Sequence, residues 1–163
     1  MLCFPETGMN TLHHPVVDHP DVRKALVNLT RSLRRLHQAL VQTAQREYEK
    51  KWGTVDAGQM LQLLTRHPDF AWLHALSEMM VDIDEILDLE QPAARDAQTA
   101  YDAVETLLIL KEGNGSDFSS RYFAALHADP AVVIAHVDVL RALQDGPRRK
   151  QGGAGGRGIG LLP

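Results

Sequence analysis

His74, Glu78, Asp82 and Glu85 are the residues whose types and spacing come nearest to metal chemistry. Imidazole and carboxylate groups bind iron, manganese or zinc, and on a helix these four fall within one narrow stripe. Helical bundles that hold such metals project carboxylates and a Glu-x-x-His motif inward. Here the stripe lies nearly opposite Leu73, Leu76, Met80 and Ile83 at about 100° per residue. The carboxylates should therefore face water, and the chain contains no Glu-x-x-His. The expectation is a solvated acidic face with no metal and no cofactor.

Two histidines sit differently. His136 shares the apolar face of its helix with Val133, Val137, Leu140 and Leu143, and His37 lies at the edge of a leucine stripe. Either could be a ligand or a general base if a carboxylate joined it in a cleft. The simpler expectation is a histidine at the core's edge, satisfied by one hydrogen bond.

Other patterns are weaker. His-Pro-Asp, the tripeptide of J-domain co-chaperones, occurs at His19 and again at His67. Neither site follows a basic helix with a Tyr-Arg-Lys pattern, and each opens a helix, where proline and an acid in the first turn are favourable. Arg31 to His37 and Arg121 to His127 match the Arg-to-His spacing of HEPN-type helical nucleases. With eight histidines and a dozen arginines, about two such matches arise by chance. The tail glycines precede no helix, so they form no phosphate loop, and the serines of FSSRYF have no His and Asp in a triad order. No residue is assigned a catalytic role.

These residues need elements to hold them. Val22, Leu26, Leu29, Leu33, Leu36 and Leu40 alternate spacings of four and three, which keeps all six on one helical stripe. The spacing predicts a helix from about Pro20 to Trp52, stopped by Gly53 and roughly 50 Å long. Such a helix either bends near Thr30 and Ser32 or leaves one end uncovered: Ala44, Tyr48 and Trp52, or Val22 and Leu26. Asp56–Arg66 reads as a short helix and Pro68–Leu89 as one amphipathic helix carrying Leu73, Leu76, Met80, Ile83 and Leu87. Pro92 opens the next, with Ala97, Tyr101, Val104, Leu107 and Leu108; Leu33, Leu36, Leu73, Leu76, Ile83, Val104 and Leu107 are expected to be largely buried. Ser116 caps another, and Asp129-Pro130 opens the last. The fold class expected is all-α: an antiparallel bundle of about four long and two short helices.

Within this frame, the run from Met60 to Leu89 contains LLxxxPxFAWLxxLSExxVxIDExLD. The pattern resembles a group of bacterial helical proteins with no assigned activity. The resemblance implies a helical fold and a bacterial source, and carries over no catalytic residue.

The chain has 163 residues, 44% of them hydrophobic and 6% aromatic, which suits one helical domain with a packed core. It is expected over residues 18–145, between a loose arm at 1–17 and a disordered Gly- and Arg-rich tail at 146–163. Cys3 stands alone, so no internal disulfide or cysteine metal site forms. No signal peptide or apolar run of about 18 residues is present, so the expected setting is the cytoplasm, with no membrane contact. The net charge of −4 is too mild to point to nucleic acid by itself. Its distribution is uneven, with eight basic against three acidic residues from Asp21 to Lys51, and eleven acidic against two basic from Asp69 to Glu112. This segregation pairs helices internally or serves a partner or second copy.

The function expected from sequence is a non-catalytic protein–protein interaction or regulatory module that self-associates, with a homodimer or another protein as partner. Its candidate surface is Arg31, Arg34, Arg35, Tyr48 and Trp52. The alternative is a HEPN-like ribonuclease or other hydrolase in a helical bundle, or a nucleic-acid-binding protein using the basic first helix.

Overall fold

The computed structural model describes residues 19–108 and 117–146, with side chains from Val22 onward. They form helices α1 (His19–Trp52), α2 (Ala57–Arg66), α3 (Pro68–Ala71), α4 (His74–Asp88), α5 (Ala94–Leu108), α6 (Asp117–Ala128) and α7 (Pro130–Gln144). No strand occurs among the described residues, and the fold is an all-α bundle. Ser116 and both tails lie outside the described residues.

α1 is the spine. Its 34 residues run unbroken through Thr30 and Ser32 for about 51 Å. The leucine stripe behaves as its spacing predicts: Leu26, Leu29, Leu33, Leu36 and Leu40 are fully buried and Val22 nearly so. The N-terminal end is therefore covered, and only the other end is left open. Lys50 and Lys51 in the last turn suit the helix dipole. Gly53 then takes φ +90°, a conformation glycine adopts without strain, and its N–H donates to the Glu49 carbonyl at 2.9 Å.

Side-chain pairs set the direction of the neighbours. Arg23 donates to the Leu87 and Leu89 carbonyls, Arg34 to Asp84, and His37 meets Ser77. Residue numbers rise on α1 as they fall on α4, so these two run in opposite senses. Thr43 with Asp129 and Arg35 with Asp138 show the same for α7. α5 is tied in by Tyr101, whose hydroxyl donates to the Ala25 carbonyl at 3.0 Å and whose pKa burial pushes up to about 12. Asp56 and Gln59 form a reciprocal capping box that starts α2.

Three expectations are corrected. Pro68–Leu89 is two helices, giving seven among the described residues. The Leu73 N–H bonds the Phe70 carbonyl at 3.0 Å, and the Trp72 indole N–H donates back to Asp69 O at 3.1 Å. This tight turn lets Phe70, Trp72 and Leu73 all enter the core, which a continuous helix would spread over a wider arc. On α5, Leu108 is buried, while Leu107 sits only partly covered against the core. On α7 the buried face is Val132, Ala135, Val139 and Ala142, whereas Val133, Val137 and Leu140 are 41%, 37% and 39% exposed. α7 packs chiefly on α1, and its smaller residues let the two axes approach closely over the leucines.

Candidate interaction surface

Two of the arginines singled out in the sequence are engaged within the chain. Arg34 holds Asp84 through two contacts of 2.8 and 3.0 Å, and Arg35 lies 3.8 Å from Asp138. Arg31 is exposed and without a partner among the described residues. Part of the charge segregation is thus internal, with basic α1 lying against acidic α4. These pairs are exposed, and such pairs contribute about 0.2–1 kcal/mol each.

Tyr48 is half-buried. Its ring lies 5.8 Å from Phe70 and 5.4 Å from His67, edge-on to the imidazole. The α2–α3 segment thereby folds back over the penultimate turn of α1. It does not cover Trp52, whose ring is 6.5 Å from that of Tyr48 and which is 70% exposed. A groove of about 410 Å³ runs beneath this end, lined by Tyr48, Trp52, Val55, Leu63, Arg66 and His67.

The histidines do not converge. His37 Nε2 is 3.0 Å from Ser77 Oγ on α4, while His136 Nδ1 is 2.6 Å from the Tyr122 hydroxyl on α6. Burial holds both imidazoles below their ordinary pKa and pushes the Tyr122 phenol up, so both partners are neutral; the phenol has no other acceptor among the described residues, which assigns it as the donor to His136. A serine and a histidine in contact are elements of a nucleophile and base. Ser77 Oγ also bonds the Leu73 carbonyl, and neither Ser77 nor His37 lines any groove described here.

On α4, Glu78, Asp82 and Glu85 are exposed, and His74 Nε2 turns to the Leu64 carbonyl at 2.8 Å. Among the described residues, no three His, Cys, Asp or Glu side chains gather as metal ligands would. The same outer stripe carries Val81 and Leu89, 55% and 48% exposed. None of the three carboxylates has an ion partner among the described residues, in contrast to inward-turned Asp84.

The sequence reading missed a polar hub on the C-terminal half of α1, beside Tyr48. Asp129 caps α7 by accepting from the Ala131 N–H at 2.9 Å, and also accepts from Thr43 Oγ1 at 2.7 Å and from Arg46. The Thr43 hydroxyl and the Ala131 N–H hold its carboxyl below the usual range, with Arg46 adding to this. The Asp-Pro pair signalled the cap; nothing signalled Thr43, 86 positions away. Beside this hub lies a groove of about 430 Å³, walled by Tyr48, Trp72, Lys51 and Arg121 over an alanine-rich floor. Arg121 is tied to Asp117 and to the Asp69 carbonyl, each at 3.1 Å.

No family model, no curated protein and no solved structure matches this chain.

Proposed function

We propose that this chain is a non-catalytic interaction module that self-associates. The observation that carries the reading is Trp52. It is the most exposed large hydrophobic side chain among the described residues, held at the tip of a 34-residue helix. An indole left in water forgoes a large burial energy, and aromatic anchors of this kind concentrate at protein interfaces. It stands on the last turn of α1 with the Tyr48 ring 6.5 Å behind it, which limits the ordering entropy lost on docking.

Light scattering on the eluting protein tests this. The 18.1 kDa chain should elute above its monomer mass, and Trp52→Ala should return it toward monomer. An unchanged mass for Trp52→Ala would place the interface elsewhere, and a monomeric parent protein would remove self-association.

A further inference from the structure

Resting on that reading, we propose which surfaces meet: the Trp52 end of α1 in one copy docks on the outer stripe of α4 in a second copy, and the reverse contact closes a two-fold dimer. The first surface combines the exposed indole with Arg66 across the groove and with the preceding residue, Lys51, which lines the adjoining groove near Glu47; Arg66 has no ion partner among the described residues. The second combines exposed Val81 and Leu89 with Glu78, Asp82 and Glu85. At 100° per residue these five fall within one stripe of about 100°. Each surface therefore has an apolar centre with charges beside it: the Lys51 and Arg66 cations on the first, with Glu47 and Glu49 behind them on α1, and the three carboxylates on the second. That is the arrangement that sets register and orientation in a protein contact.

Intramolecular contacts do not account for either surface. Arg34 takes Asp84, and Arg23 takes the carbonyls at the end of α4, so the inner side of α4 is satisfied while its outer side is left with its charge. Within one copy, α1 covers α4 only along the stretch marked by Arg23, Arg34 and His37, and the Trp52 end lies well beyond it. The two surfaces are thus set apart along one chain, and a second copy turned by a two-fold axis brings each to its complement.

Charge reversal tests the pairing. Lys51→Glu/Arg66→Glu makes both surfaces acidic, and Glu78→Lys/Glu85→Lys makes both basic. Each variant alone should dissociate at least about tenfold more readily than the parent protein in sedimentation, because both contacts of its homodimer join like charges. Mixed one to one, they form a heterodimer with one parental contact and one inverted contact, and association should return. All four positions are exposed, and circular dichroism confirms that each variant is helical before mixing. Parent-like association by either variant alone, or a folded mixture that stays monomeric, overturns the pairing and leaves self-association standing. A parent protein that never associates overturns both.

Discussion

The Tyr122 hydroxyl lies 2.6 Å from Nδ1 of His136, joining α6 to α7 through a fully buried phenol and a half-buried imidazole. That bond needs Nδ1 unprotonated, because the buried hydroxyl donates to it.

A pH dependence follows. Burial lowers the folded pKa of His136 and of His37 below the ordinary 6.5. Their contribution is fully present above the unfolded value and is lost as pH falls through the folded one. Asp129, Glu47 and Glu49 also have lowered pKa values, but their windows lie below 3.8 for Asp129 and below 4.5 for the two glutamates. Chemical denaturation should therefore show stability falling as the pH drops below 6.5, with a smaller fall in His136→Gln. A flat profile from pH 6.5 down to the carboxylate range contradicts the neutral, hydrogen-bonded histidines.

Asp129 joins α7 to α1, so Asp129→Ala removes a helix cap and leaves the buried Thr43 hydroxyl without its long-range partner. Loss of the cap costs about 1 kcal/mol and the lost hydrogen bonds to the carboxylate about 1–3 kcal/mol, while the Thr43 hydroxyl keeps the Ala39 carbonyl at 2.9 Å. Urea denaturation of Asp129→Ala should show a loss within that combined range. A loss below about half a kcal/mol would mean that water replaces the whole hub.

The phase of α5 gives a paired test. Leu108 is 3% exposed and Leu107 only partly covered. Leu108→Ala should cost about 2–5 kcal/mol and Leu107→Ala clearly less. The same range applies to Leu76→Ala on α4, which is fully buried. Equal losses at 107 and 108 would contradict the observed phase.

How much of this the sequence disclosed depends on how one-sided each helix is. α1 was legible because its leucines occupy a single stripe with polar residues elsewhere. Asp56 and Asp129 were legible as helix starts because capping is local chemistry. α7 was not, because PAVVIAHVDVLRALQ is apolar on most sides, and the choice of inner face was made by the fit of Ala135 and Ala142 against α1. The break after Ala71 was hidden for a related reason: Trp72 and Leu73 keep right-handed helical dihedrals while the hydrogen bonds tighten. Of the candidate surface, Trp52 was visible as an apolar residue at the end of a long helix. The neutralisation of Arg34 and Arg35 was not, because Asp84 and Asp138 stand 50 and 103 positions away, and only the folded chain brings them together.

Sedimentation equilibrium of the parent protein, from sub-micromolar to tens of micromolar and at low and high salt, addresses self-association most directly. The account predicts an apparent mass that rises from 18.1 kDa toward twice that value with concentration. High salt should weaken the rise, because exposed charges separated by more than about 8 Å are already screened at physiological ionic strength and closer pairs are screened as salt increases. A single 18.1 kDa species at every concentration and both salts would contradict it.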